Sequence, residues 1–240
     1  MDNLINNIQE IPKDKSVFVF DLDGTLAESK VNIDLEMGVL LAQLLVKGKV
    51  AIISGASFEQ MSSQLPDSIS KNNNLFLLPL DGGSFYDYKE NAWQKVYSQE
   101  LTDEEKKKIF DAFGKAFKDI GYVQPVKIYG ELIEDRGSQI TFSALGQQAP
   151  LEEKEKWVEE NNDKRLSIEK KLKNYLPDME AKVAGLTSID VTKKGIDKKF
   201  GIEQIIKHLN VSKEDVIFLG DAFGPEGNDY PVLSAGVACY

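Results

Sequence analysis

Asp21 and Asp23 stand two residues apart where an apolar run, VFVFDLDGTLAESK over residues 17–30, gives way to a Gly-Thr turn. Side chains alternate along an extended strand, so residues two apart point the same way and both carboxylates converge at the strand's carboxyl end. A space lined in this way attracts a hard divalent cation. Mg²⁺ takes oxygen ligands in near-octahedral geometry and reaches substrate phosphates through one or two carboxylates, while its charge keeps neighbouring acids ionised. An ionised aspartate beside a metal-bound phosphate is placed for nucleophilic attack.

In open α/β sheets ligands bind beyond the carboxyl ends of the strands, so the residues just after each apolar run are the informative ones. A second run, KVAII over residues 49–53, ends in Ser54 and Gly55, a small hydroxyl and nearby backbone N–H groups suited to phosphate oxygens. A later run, VIFLG over residues 216–220, delivers Asp221, with Asn228 and Asp229 following in a glycine-rich loop that can complete a metal site. Between them lie Lys194, Lys198 and Lys199, of which one could neutralise charge on a transferring group.

The elements that must carry these residues alternate. Residues 34–47 have helical length and an apolar stripe, with Gly48 where a helix would stop. Ser57 to Gln60 has the form of a capping box, opening a short helix that Pro66 must end, and LFLLP supplies a third strand. Strand and helix in alternation predict a doubly wound parallel sheet. The middle of the chain differs in character. Thr102 to Glu105 caps a helix to about Lys118, and residues 126–134 and 139–143 flank a turn as a hairpin. A Lys/Glu-rich helical run, residues 151–175, has Asn161-Asn162 as its expected break. From Ser188 the alternation returns, with residues 198–209 as a helix and GVACY as a last strand. This pattern predicts a core built from residues 1–93 and 188–240, with an inserted α+β domain at 94–187.

Composition narrows the classes of function. With 240 residues, 42% of them hydrophobic, the chain can bury a sizeable core. A net charge of −10 opposes nucleic acid and anionic membrane surfaces as partners, while still admitting small anions to a local pocket. A single cysteine, Cys239, rules out an internal disulfide, and without a signal peptide or long apolar run the chain reads as cytoplasmic, with no membrane span. The one histidine, His208, reads as a helix-surface residue and excludes His-centred triads and His-based zinc sites.

In this order, an Asp-x-Asp pair, a serine, a lysine and an acidic loop resemble the haloacid dehalogenase superfamily of phosphotransferases. The insertion between the second and third motifs looks like that superfamily's type II cap, and GDAFGPEGND, with its long spacing before Asn-Asp, resembles the eukaryotic-type phosphomannomutases. The likeness covers nearly the whole chain and stops at Tyr240, where the family continues with a further segment and helix, so it implies a chain cut short. It implies that Asp21 is the nucleophile, that Asp23 is the general acid/base, and that Ser54, with Gly55, binds phosphate. It implies Mg²⁺ held by Asp21, the backbone carbonyl of Asp23 and Asp221, with Asn228 and Asp229 supporting the loop or its waters. Of the three lysines, Lys198 in GIDKKF matches the family's motif lysine, whose role is to face phosphoryl charge. The substrate it implies is a small sugar phosphate, and the assembly a homodimer through the cap.

A mutase must also hold the second phosphate of a sugar bisphosphate. Phosphomannomutases would do so with three cap arginines, a Ser-x-Asp pair and an arginine after the first motif. Arg136 matches one of these and Ser188 with Asp190 matches the pair, but Tyr129 and Gln147 stand at the other cap positions and Lys30 replaces the core arginine. The chain holds two arginines, Arg136 and Arg165, too few for a bidentate cluster, although Lys127 could add charge. Net hydrolysis of a sugar phosphate is therefore the expected reaction, with hexose phosphate mutation as the alternative. A catalytically silent sugar-phosphate binder is a third reading, and the presence of both Asp21 and Asp23 argues against it.

Overall fold

A computed structural model of the chain describes residues 4, 5, 7–12, 14–225 and 227–240. In chain order the main elements are β1 (Val17–Asp21), α1 (Leu35–Lys47), β2 (Lys49–Ile53), α2 (Phe58–Gln64), β3 (Leu75–Leu78), β4 (Ser84–Lys89), β5 (Ala92–Ser98), α3 (Asp103–Ile120), β6 (Ile133–Asp135), β7 (Gln139–Ser143), α4 (Leu151–Tyr175), β8 (Met179–Ala184), β9 (Ser188–Lys193), α5 (Lys198–Leu209), β10 (Val216–Leu219) and β11 (Ala238–Cys239). They fall into two compact units, one running to Ser98 and resuming at Ile196, the other Gln99–Gly195. Among the described residues no helix is long and apolar enough to cross a membrane.

The first unit is built on a seven-stranded sheet in the order β11-β10-β1-β2-β3-β4-β5, parallel from β11 to β3 and antiparallel beyond. Its parallel strands read as unbroken apolar runs because both faces are covered. Val50 and Ile52 of β2 pack with Leu41 and Leu45 of α1 on one face. Ala51 and Ile53 pack with Ile202 and Ile205 of α5 on the other. Local capping starts each helix where the sequence allows. Asp34 accepts the Met37 amide, Ser57 the Gln60 amide and Asp197 the Phe200 amide, satisfying first-turn donors. The last of these makes Lys198 the first residue of α5.

The β4–β5 hairpin was not foreseen from sequence. It turns through Glu90 and Asn91, both in the left-handed region at φ +52° and +61°. That geometry suits a two-residue hairpin, but the sequence lacks the Asn-Gly or Asp-Gly pair that announces it. His208 is exposed on α5, as expected of a helix-surface residue; its Nε2 also lies 3.4 Å from the buried Asp87 Oδ2, and its ring meets Phe85 edge-on at 4.8 Å.

The second unit holds a four-stranded antiparallel sheet in the order β6-β7-β9-β8, with α3 and α4 against one face. Ile140, Phe142, Ile189 and Val191 point into that apolar layer with Ile109, Phe113, Ile168 and Leu172. Alternation turns Gln139, Thr141 and Ser143 of β7 to the opposite face, in register with Thr192, Asp190 and Ser188 of β9. β9 thus pairs in this sheet, although the sequence reading began the core at Ser188. The expected hairpin is shorter as well. Residues 133–135 pair with β7, whereas Tyr129 bonds through its backbone to Leu145 and Gln148 in a loop. The Asn161-Asn162 break does not occur. Asn161 Nδ2 donates to the Trp157 carbonyl at 3.1 Å and Asn162 Oδ1 accepts from Arg165 at 2.9 Å, so both amides bond along an unbroken α4.

Candidate active site

The carboxyl ends of β1, β2 and β10 lie side by side, because β1 pairs with both neighbours in parallel register. Asp21 closes β1 at 3% exposure, Ser54 follows β2 at 3%, and Asp221 follows β10. Lys198, fully buried on the first turn of α5, donates from Nζ to Asp21 Oδ1 at 2.5 Å and to Asp229 Oδ1 at 2.7 Å. Asp229 spends its other oxygen on the amides of Asp221 and Ala222, at 3.1 and 2.9 Å, and so ties the loop after β10 to the lysine. Of the three candidate lysines, Lys198 is the one carried to Asp21. Lys194 donates to the Pro177 carbonyl in the second unit, and Lys199 is half-buried.

Carboxylate oxygens of Asp21, Asp221 and Asp229 approach within 4.8 Å of one another. Three carboxylates facing one ammonium leave the cluster net negative, and its donors are hard oxygens, so the residues fit a divalent cation. Two glycines make room for them. A Cβ on Gly24, which sits at φ +98°, would lie 2.5 Å from Asp221 Oδ2, and one on Gly220 would lie 2.5 Å from Asp229 Oδ2. Neither position admits a side chain without moving a carboxylate. Asn228 is exposed on the same loop, and Glu226 of that loop lies outside the described residues.

Burial pushes the Asp21 carboxyl up to about 6; Lys198 opposes the rise and the Asp229 charge adds to it. Burial on its own would lower the Lys198 ammonium, but the charges of Asp21, Asp81 and Asp229 outweigh it and hold the group above its ordinary value. Both groups are thus charged at neutral pH, with one Asp21 oxygen held by the lysine.

Asp23 is half-buried beyond the end of β1, and its Oδ1 accepts the Lys30 amide at 2.8 Å. Lys30 meets this part of the site through its backbone, at φ +63°, with an exposed side chain. Ser54 Oγ accepts the Ala56 amide at 3.2 Å, forming a tight turn around the half-buried Gly55.

Arg136, Ser188 and Asp190 all belong to the second unit. Ser188 Oγ lies 2.9 Å from Ser143 Oγ, and Asp190 accepts the Thr141 hydroxyl at 2.7 Å, on the polar face of the sheet. Arg136 directs Nε and a terminal nitrogen at one oxygen of Glu134, at 2.7 and 2.6 Å. The Tyr129 hydroxyl bonds Glu153, and Lys127 lies 3.4 Å from the same carboxylate and 4.5 Å over the Tyr129 ring. Arg165 binds the carbonyls of Gly185 and Leu186 and serves the local structure.

Two residues near these groups were not singled out from sequence. Asp81 comes shortly after β3, and the strand-end rule that picked out Asp221 after β10 could have found it. Thr141 carries no signal beyond alternation with Ile140 and Phe142.

A family model for haloacid dehalogenase-like hydrolases matches residues 18–238. A phosphomannomutase of Encephalitozoon cuniculi is 30% identical over 227 residues, covering 92% of this chain and 85% of the relative. A probable phosphomannomutase of Caenorhabditis elegans is 26% identical, with 92% and 87% covered. Among solved structures, a haloacid dehalogenase-like hydrolase from Bacteroides thetaiotaomicron superposes with a TM-score of 0.64 at 14% identity, covering 93% of this chain and 87% of that one. The IMP-bound IMP-nucleotidase of Plasmodium falciparum gives 0.63 at 18% identity; there the chain covers 94% of its own length and spans 64% of the nucleotidase. These two likenesses show the fold.

Proposed function

The chain belongs to the haloacid dehalogenase-like hydrolase family, and from that footing we propose that it transfers phosphoryl groups through Asp21 on hexose phosphates, interconverting the 1- and 6-phosphates. The observation that carries the chemistry is the buried Asp21–Lys198–Asp229 array at the carboxyl end of the central strand, with Asp221 beside it.

Asp21 attacks phosphorus and forms an acyl phosphate as the ester P–O bond breaks, and Asp23 gives its proton to the departing sugar oxygen. In the return step a sugar hydroxyl yields its proton to Asp23 and takes the phosphoryl group, restoring the Asp21 carboxylate. The Ser54 hydroxyl and the amides at Gly55 bind phosphate oxygens, and Lys198 faces the charge that spreads over them in the transition state. Asp21, Asp221 and the Asp23 carbonyl would hold Mg²⁺, with Asn228 and Asp229 supporting the loop; when bound, the ion offsets charge on the phosphate and fixes its orientation. Asp190 and Ser188, with Lys30 and Arg136, are assigned to the sugar and its second phosphate.

Net hydrolysis is the reaction that the scarcity of arginine favoured, and the curated phosphomannomutase relatives move the preference to the mutase. Hydrolysis keeps one observation in its favour: the Arg136 guanidinium is already paired with Glu134, and Tyr129 with Glu153. Paired assays with Mg²⁺, mannose 1-phosphate or glucose 1-phosphate and a catalytic amount of the sugar bisphosphate decide between them. Predominant 6-phosphate product supports the mutase; stoichiometric inorganic phosphate with no 6-phosphate overturns it in favour of the phosphatase.

A further inference from the structure

The register of the second unit's sheet sets Glu134 of β6 against Thr141, Thr141 against Asp190 of β9, and Asp190 against Lys182 of β8. Cross-strand partners share a face, so these four side chains form one row on the polar side, and Gln139, Thr192 and Glu180 form the next. Among the described residues of these strands and the β6–β7 turn, the cations of this face are Lys182 and Arg136, and each meets a glutamate. Lys182 Nζ lies 4.0 Å from Glu180, and Arg136, just past β6, turns its guanidinium back onto Glu134.

Nε and a terminal nitrogen of Arg136 both donate to a single oxygen, Glu134 Oε2, at 2.7 and 2.6 Å. Two such N–H groups are a fork that a phosphate fills with two oxygens, whereas here one oxygen takes both. The partners also differ in exposure: 11% of the Arg136 side chain reaches solvent against 40% of Glu134. The guanidinium is therefore the enclosed member, and the carboxylate stands on the wet side, where water solvates it when the pair opens. An anion offering two oxygens and more negative charge than one carboxylate reaches the fork by taking the place of Glu134.

We propose that Glu134 is a specificity-determining residue, a built-in competitor that a substrate's second phosphate must displace from Arg136, and that it thereby sets how turnover divides between transfer and hydrolysis. The inference rests on the reading above, in which Arg136 meets the second phosphate. The acyl phosphate has two fates. In transfer a sugar hydroxyl attacks phosphorus, its proton passes to Asp23 and the bond to the Asp21 oxygen breaks; in hydrolysis water makes the same attack and inorganic phosphate leaves. Transfer requires the sugar to stay while it presents its other end. Arg165 is spent on the carbonyls of Gly185 and Leu186, so Arg136 is the guanidinium left to hold it. A competitor on that guanidinium shortens the stay, and water attacks first.

The test uses the full chain and the variants Glu134→Gln and Glu134→Asp, with two readouts. Phenylglyoxal labelling of Arg136 is timed by peptide mass spectrometry under increasing inorganic phosphate or glucose 1,6-bisphosphate, with Arg165 as internal control. In Glu134→Gln the concentration of either probe that halves labelling should fall about fivefold, the size of effect a half-exposed ion pair carries, and Glu134→Asp, which keeps the charge, should return towards the parent. In turnover of mannose 1-phosphate with Mg²⁺ and a catalytic amount of the bisphosphate, the ratio of 6-phosphate to inorganic phosphate should rise by a similar factor in Glu134→Gln. The same change in an Arg136→Met background should leave that ratio where it was. Equal half-protecting concentrations in parent and Glu134→Gln overturn the competition. Tighter protection with an unchanged product ratio, or a parent that releases no inorganic phosphate, overturns the role of Glu134 in dividing the products. If the parent chain turns over no hexose phosphate, the phosphoryl-transfer reading fails, and protection by inorganic phosphate still decides the competition.

Discussion

Replacing Asp21 by Asn should abolish turnover and make the metal-free chain more stable. Burial pushes this carboxyl from 3.8 up to about 6 despite the Lys198 ammonium 2.5 Å away. At about 1.4 kcal/mol per pH unit of displacement, keeping Asp21 ionised in the folded chain costs about 3 kcal/mol. Because the folded-state value lies above the ordinary one, the penalty is nearly absent below about pH 4, grows as pH rises, and is complete above about pH 6. Asparagine mimics the neutral acid in shape. In EDTA-treated protein at pH 7.5, Asp21→Asn should therefore gain about 3 kcal/mol, or roughly 6–12 °C in the melting of the first unit, shrinking to about 1 kcal/mol at pH 4.5. Urea unfolding across this pH range, followed by the near-ultraviolet signal of the first unit's Trp93, measures it. A metal bound to the folded parent would erase the difference by mass action. Equal stabilities at pH 7.5, or a gain that does not change with pH, would refute the reasoning.

Lys198→Met removes the ammonium that holds Asp21 and Asp229, and leaving buried carboxylates uncompensated should cost about 3–5 kcal/mol in urea unfolding at neutral pH; a loss of less than about 1 kcal/mol would contradict the pairing. The loss should be smaller when Lys198→Met is made in the Asp21→Asn background, as a double-mutant cycle would read. Gly24→Ala forces a side chain into φ +98° and against Asp221 Oδ2, so it should cost about 1–3 kcal/mol and raise the Mg²⁺ concentration needed for half-maximal activity. Thr141→Val deletes the hydroxyl donated to Asp190 and should raise KM for a hexose phosphate about tenfold, with p-nitrophenyl phosphate turnover unaffected.

The parallel part of the core was legible because its strands are buried on both faces and its helices begin at side chains that cap them. Asp34, Ser57, Thr102 and Asp197 all bond first-turn amides. Asp21, Ser54 and Asp221 were singled out for a related reason, since each adjoins the end of an apolar run, whereas Lys198 was one of three candidate lysines until the family resemblance selected it. What escaped depended on which partner a residue took, distant in sequence for one strand and local for several side chains. Nothing in Ser188–Lys193 tells that it pairs with β7 and β8 and not in the parallel sheet, since its alternation suits either. The Glu90-Asn91 turn takes left-handed geometry without glycine because β4 and β5 pair on either side of it. Asn161 and Asn162 read as a helix break, yet their amides found partners within α4. Arg136 looked available for an anion until Glu134, two residues away on the same face, took its guanidinium.

The most direct measurement traps the intermediate. Full-length protein with Mg²⁺ and hexose bisphosphate is quenched in acid during turnover and reduced with borohydride, which converts an aspartyl phosphate to homoserine, and the peptide of residues 16–30 is sequenced by mass spectrometry. Homoserine at position 21, absent without substrate and absent in Asp21→Asn, is the result expected. Turnover of the substrate with position 21 unmodified, or with the change at Asp23 or Asp221, would contradict phosphoryl transfer through Asp21.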